Sequence, residues 1–339
     1  MNRFKAFCER KQIDTTWRAY FVDALSGMAL GLFASLLIGT IFQTIGDKSG
    51  IEFFLTVAKY AKEATGAAIG IGIAYTMHCT GLVLFSTVAV GIAGNTLGGP
   101  LGAYVAVIVA IELGKAVSKE TQIDILVTPT VTIVAGVGVA MAVGPAIGRL
   151  MTALGELITN ATVMQPLLMG IIVSVVTGMC LTLPISSAAL CIAIGLGGLA
   201  GGAATAGCCA QMIGFAVMSF RENRWGGLIA QGLGTSMLQM PNIVKRPAVW
   251  IPPTLTSAIT GPLATCVFHL ENVPIGSGMG TCGLVGPIGI YTAMPDGGTR
   301  MWIGMLLICF VLPALLSWLF CLLLRKMNWI REGDLKIDC

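Results

Sequence analysis

His269, Glu271 and Asn272 stand together in an otherwise apolar stretch, and glycines follow at 276, 278, 280, 283, 286 and 289. A carboxylate can accept two hydrogen bonds from neighbouring hydroxyls, an imidazole donates or accepts, and an amide does both. That set suits a polyhydroxylated or otherwise polar solute. The run Gly276-Ser-Gly-Met-Gly280 cannot hold regular helix well, so Gly278, Gly280 and Thr281 are candidates to turn backbone N–H groups toward a ligand, as broken transporter helices do. The competing reading is a solvated loop at the end of an apolar segment. No strand precedes these glycines, so they do not form a dinucleotide fingerprint.

Other polar groups lie well inside apolar tracts. His78 is either a solute ligand or a membrane histidine bonded to a carbonyl freed by nearby glycines. Asn95 precedes Thr96-Leu-Gly-Gly-Pro100, a turn signal, and reads equally as a ligand or a loop cap. Gln211 and Gln231 read as interhelical bonds. Gln239 and Asn242 flank Pro241 in a polar interruption that ends at Lys245, Arg246 and Pro247. They are further candidates for solute contact, and the basic pair is expected to hold a cytoplasmic turn.

The elements that must position these groups are apolar helices. The chain has 339 residues, of which 55% are hydrophobic and 11% charged, with a mean hydropathy of +0.86. That leaves too little polar surface to cover a soluble globule. Residues 24–46, 64–111, 125–148, 157–220 and 301–324 carry no Asp, Glu, Lys or Arg. A span needs about 20 residues, so 157–220 holds about three helices and 64–111 about two. Barrel strands would alternate polar and apolar residues and are excluded.

Spans are expected at 20–45, 64–94, 100–117, 125–147, 165–183, 186–201, 202–220, 228–242, 249–269 and 301–324, with 281–293 re-entrant. Residues 51–63 place Ile51, Phe54, Leu55 and Ala58 on one face and Glu52, Lys59, Lys62 and Glu63 largely elsewhere, which predicts an interfacial amphipathic helix. The sequence thus predicts an all-α polytopic membrane protein of about ten transmembrane helices with re-entrant segments. A cytoplasmic segment 1–18, a membrane transport domain 19–324 and a cytoplasmic tail 325–339 divide it. Arg3, Lys5, Arg10, Lys11 and Arg18 at one end, with Arg325, Lys326, Arg331 and Lys336 at the other, place both termini in the cytoplasm. The first apolar segment is expected to be a retained span, because no small-residue cleavage site follows it.

Pro129-Thr-Val-Thr132 is echoed by Pro253-Thr-Leu-Thr256, and Ile69-Gly-Ile-Gly72 by Ile194-Gly-Leu-Gly197. The offsets, 253 − 129 = 124 and 194 − 69 = 125, are nearly equal. They support repeats over 64–150 and 186–270 that cross in opposite senses, an inverted repeat with a midplane site. Chance matches in a biased composition are the alternative.

Several functions are excluded or lack support. The 11 cysteines form no CxxC pair and have no histidine at ligand spacing, so they read as packing residues; no metal and no cofactor is expected. Only Cys282, inside the glycine tract, is placed to line a site. The net charge of +4 sits at membrane edges without an aromatic and basic array, which gives no support to nucleic-acid binding. No nucleophile is paired with a base, so no catalytic residues are assigned.

Gly234-Thr-Ser-Met-Leu-Gln-Met-Pro-Asn242, Trp250-Ile-Pro-Pro253, Gly261-Pro262 and Gly278-Met-Gly-Thr-Cys-Gly-Leu-Val-Gly286 carry a family resemblance. The chain resembles the second type of membrane-embedded enzyme IIC of sugar phosphotransferase systems, the group often labelled perfringolysin-type regulators. The resemblance spans nearly the whole chain and is specific in the carboxyl half. It implies a ten-span homodimer with re-entrant hairpins in the cell membrane, which binds a sugar-like solute near the midplane and moves it inward. In better understood enzyme IIC families a histidine and a glutamate contact sugar hydroxyls, and a separate IIB protein phosphorylates the sugar. His269 and Glu271 are counterparts by chemistry, not by a shared motif. The chain runs only fifteen residues beyond Leu324 (339 − 324 = 15), so a IIB partner is expected to bring the phosphate. A membrane sensor that binds a solute and signals to a cytosolic protein through Lys245, Arg246 and the charged termini is the second function class.

Overall fold

The structure is a computed structural model that describes residues 7–8, 10–13, 16–79 and 81–337, with Leu37 and Lys48 described through their backbone alone. Among the described residues every regular element is helical; the one β-type contact is an isolated antiparallel bridge between Gly198 and Asn272. The chain divides into two compact units, 1–150 and 151–339.

Unit 1 contains α1 (Ala19–Asp47), α2 (Glu52–Glu63), α3 (Thr65–Thr76), α4 (Gly81–Val117) and the first part of α5 (Asp124–Thr162). Hydroxyls inside the apolar helices satisfy themselves on the preceding turn: Ser35 donates to Gly31 O at 2.6 Å and Thr40 to Leu36 O at 2.8 Å. The predicted amphipathic segment is helical, with Ala58 buried and Glu52, Lys59 and Glu63 exposed. It lies against α1, where the Phe42 and Phe54 rings stack at 5.8 Å. Helices α1 and α3 meet backbone to backbone at Gly27 and Gly72, where a Cβ on either would collide with the other's carbonyl. With no water to expel between apolar helices in a bilayer, such close van der Waals approach is the main attraction.

Helix α4 is a hairpin of two arms. Gly98 (φ −144°, ψ 17°) and Gly99 (φ 62°, ψ −162°) leave helical geometry, and the backbone of Gly99 is accessible essentially to glycine alone. Pro100 then opens the second arm, where its missing N–H costs nothing. Gly94 packs directly on the main chain of Ala103, so the arms double back.

Unit 2 is built around α8 (Gly198–Met218), between α6 (Pro166–Thr182), α11 (Ile251–Pro262) and α14 (Gly298–Lys326). The remaining helices are short: α7 (Ser187–Ala193), α9 (Phe220–Ile229), α10 (Met240–Lys245), α12 (Pro274–Ser277) and α13 (Val285–Ala293). In its most apolar window α8 is 89% buried, against 22% for α5; α8 is therefore the core, and α5 turns its apolar surface outward. Small residues bring the core helices together. Gly207 of α8 lies on the carbonyl of Ser174, and Gly261 of α11 on that of Gly170. Ser174 donates to Ser257 O at 2.7 Å, and Ser257 reaches Gly207 O at 3.3 Å.

Among the described residues five helices, α1, α4, α5, α8 and α14, are long and apolar enough to cross a membrane. Expected boundaries shift in physically simple ways. The 64–94 stretch breaks after Thr76, where Met77 and His78 leave the helix, and 186–201 breaks at Gly195 (φ 63°), so α8 begins at Gly198. The 228–242 stretch is a series of short π, 3-10 and α turns. Of the echoed tetrapeptides, 129–132 and 253–256 are both helical, whereas 69–72 is helical and 194–197 forms the break before α8.

Gly207→Leu should destabilise unit 2 by about 1–3 kcal/mol or more, because the added carbons must displace backbone and not a flexible side chain. A lowered thermal midpoint in detergent is the expected result; an unchanged midpoint would contradict this account of the core.

Candidate functional site

The polar tract takes its shape from a crossing over the start of α8. Helix α11 loosens into a π turn, Leu263–Phe268, and stops at His269, whose left-handed backbone (φ 50°, ψ 47°) ends the helix. Leu270 N bonds Ala264 O at 2.9 Å, and Asn272 N reaches Gly198 O at 3.1 Å. The crossing is so close that a Cβ at Gly202 would overlap the Leu270 carbonyl.

Successive residues of this segment face opposite ways, and this splits the predicted triad. Leu270 and Asn272 point inward at 0% and 1% exposure, while His269 and Glu271 are exposed. The Asn272 amide donates to Thr205 Oγ1 at 2.6 Å and Gly286 O at 3.0 Å, and its oxygen accepts Val273 N–H at 2.7 Å. Gly276 and Gly289 leave the space that this amide fills, since a Cβ on either would strike it.

The other glycine-tract candidates are also packed. Gly278 O accepts the Ser187 hydroxyl at 2.7 Å, Gly280 (φ 53°) lies on the main chain of Cys208 and Cys209, and Thr281 donates to Gly232 O at 2.5 Å. Cys282 is buried. Much of the tract's spacing therefore serves close packing of α12 and α13 on α8.

Gln239 and Asn242 occupy a second buried network. Gln239 Nε2 donates to Gln231 Oε1 at 2.8 Å and Leu335 O at 3.0 Å. Asn242 Nδ2 donates to Gln239 Oε1 and Lys336 O, both at 2.8 Å. Both protons of each amide are thus committed. They fasten the C-terminal tail, whose Ile330 and Leu335 are buried with Phe215, Ile243 and Val249. Arg246 pairs with Asp334 at 2.7 Å and Arg325 with Glu222 at 2.5 Å around the same clasp. Gln211 forms a third network, accepting from Trp250 Nε1 at 3.0 Å and Thr182 Oγ1 at 3.1 Å.

His78 and Asn95 belong to unit 1. Asn95 is half-buried beside the α4 turn, and His78 is exposed in a left-handed conformation (φ 57°). His78 lines a cavity of about 440 Å³ with Arg10, Lys11, Lys115, Lys119 and Glu120. The hydrogen bond from Lys11 holds the Glu120 carboxyl below the ordinary carboxylate range, with Arg10 adding to the effect. Sequence reasoning missed this gathering. The one signal was Lys115, a lone cation inside the apolar 100–117 stretch. A second cavity, about 290 Å³, lies between α8, α9 and α14 beside Trp225 and Trp318. Neither cavity is lined by His269, Glu271 or Asn272. Among the described residues no group of His, Cys, Asp and Glu side chains is arranged to hold a metal.

The family model described as "Phosphotransferase system, EIIC" matches residues 22–337. The chain belongs to this family. No curated protein and no solved structure matches it. As an EIIC chain with helices of this length and apolarity, it is a multi-pass membrane component of a sugar phosphotransferase system.

Asn272→Ala in this EIIC chain should leave the Val273 N–H without its partner, at about 1–3 kcal/mol for a group left unpaired. Glu271→Gln, on the exposed side of the same segment, should leave thermal stability unchanged; equal losses in the two variants would contradict the inward and outward assignment. Leu335→Ala should cost about 2–5 kcal/mol, the usual range for emptying a buried leucine site. A thermal midpoint equal to that of the unaltered chain would show that the tail is not fastened as described.

Proposed function

We propose that this EIIC chain binds a sugar-like solute and carries it inward by alternating access, releasing it to a separate IIB protein that supplies the phosphate. The observation that carries the site is the pairing of exposed His269 and Glu271 with a backbone held in place by the buried Asn272. A rigid support with uncommitted polar side chains favours solute binding, because little ordering remains to oppose it. In this reading Asn272 positions the two contact groups, and Gly278, Gly280 and Thr281 shape the support. Gln239 and Asn242, with their amide protons committed to the tail clasp, take no part in solute contact. His78 and Asn95, in unit 1, remain further candidates for solute contact.

The proposed topology has about ten crossings with α12 and α13 re-entrant, the two arms of α4 counting separately. Both termini are cytoplasmic in this arrangement, as the flanking Arg10, Lys11, Arg18, Arg325 and Lys326 favour. Within the proposal, the repeats 64–150 and 186–270 are the moving parts and the chain works as a homodimer.

Uptake of labelled sugars and sugar alcohols into proteoliposomes, with and without IIB enclosed, tests the reading. Glu271→Gln should weaken saturable uptake about ten- to a hundredfold through the loss of charge-assisted bonds to hydroxyls. Full uptake in that variant would overturn the site. Binding without uptake under either condition would favour the sensor.

A further inference from the structure

The connection between α13 and α14 braces the segment that carries His269 and Glu271. Met294 Sδ accepts the Glu271 N–H at 3.2 Å, and Arg300 Nη2 donates to the Val267 carbonyl. Farther along α14, Gly304 packs against Phe268, whose ring a Cβ at Gly304 would approach to 2.9 Å. Two aromatic rings are carried between these fixed points. Tyr291 stands one helical turn before Met294, whose N–H bonds Ile290 O at 2.9 Å, and Trp302 lies between Arg300 and Gly304. Their ring centroids are 5.7 Å apart with the planes tilted by 39°, and the two residues are 47% and 52% exposed. Exposed rings thus stand beside exposed hydrogen-bonding groups in one part of unit 2.

We propose that Tyr291 and Trp302 form a stacking platform that selects a cyclic sugar over its open-chain alcohol. The platform belongs to the solute site proposed above and rests on that reading. A cyclic sugar has apolar C–H faces and a rim of hydroxyls, so aromatic surface suits its face and polar groups suit its edge. Glu271 supplies acceptors for that edge, and the bond to Val267 engages one end of an Arg300 guanidinium that carries further N–H donors. An open-chain alcohol offers similar hydroxyls without a preformed C–H face, and it loses more rotational freedom on binding. Exposed aromatics also anchor helices at a membrane edge. Trp318, on the same helix and 49% exposed beside the second cavity, separates the two roles. Anchoring gives both tryptophans the same effect, whereas stacking confines it to Trp302.

The test uses the full chain in nanodiscs and measures equilibrium binding of labelled glucose, mannose and galactose, and of the alcohols glucitol, mannitol and galactitol. In the unaltered chain the best-bound hexose should exceed its own alcohol about tenfold. Trp302→Leu and Tyr291→Leu alter exposed side chains, and each should weaken hexose binding about tenfold while leaving the alcohols nearly as they were. Trp302→Phe keeps a ring and should retain most of the affinity. Trp318→Leu should leave hexose binding unchanged. Equal binding of hexose and alcohol, full hexose affinity in Trp302→Leu, or an equal loss in Trp318→Leu would each overturn the platform. Glu271→Gln distinguishes the platform from the site it rests on: affinity lost there but kept in Trp302→Leu sinks the platform alone, and the reverse pattern keeps the platform and removes Glu271 from the site. Absence of saturable binding of all these solutes would overturn both.

Discussion

The crossing of residues 270–272 over the start of α8 is the contact on which much of unit 2 depends. A buried extended segment carries amide and carbonyl groups that hydrocarbon cannot satisfy, so each must find a partner within the protein. Three features solve this together. Gly202 lets the Leu270 carbonyl approach, Gly198 O receives Asn272 N–H, and the Asn272 amide joins Thr205 on α8 to Gly286 at the start of α13. One side chain therefore links three segments. Losing it removes three hydrogen bonds at once in a medium of low polarity.

The same constraint explains the distribution of glycine. The chain has 44 glycines, far more than turns require, and many stand at helix crossings, such as Gly27 on Gly72 and Gly207 on Ser174. Between helices in a bilayer the hydrophobic effect supplies little attraction, and close backbone contact with shared hydroxyl bonds supplies it instead. Ser174 and Ser257 show the pattern, each bonding a carbonyl on a neighbouring helix.

Features set by local physics were legible in the sequence. Composition and charge-free blocks gave apolar helices, period 3.6 gave the amphipathic α2, and Thr96-Leu-Gly-Gly-Pro100 gave the turn within α4. Features set by distant partners were not. Asn272 and Glu271 are neighbours of similar polarity, and only the crossing over α8 sends one inward and the other out. Gln239 and Asn242 look available until the tail, 96 and 94 residues away, supplies the carbonyls that occupy them. Lys115 is a lone cation in an apolar stretch until Gln12 and Met77 bring their carbonyls to it.

This distinction bears on where function can reside. A polar group inside a membrane protein either completes the protein's own hydrogen bonding or keeps capacity for a ligand, and the number of its donors and acceptors decides how far it can do both. Asn272, Gln239 and Asn242 spend their amide protons internally and so act as fasteners. Lys115 is fastened in the same way, with two of its three N–H groups given to the carbonyls of Gln12 and Met77, so its place is set by segments distant in sequence.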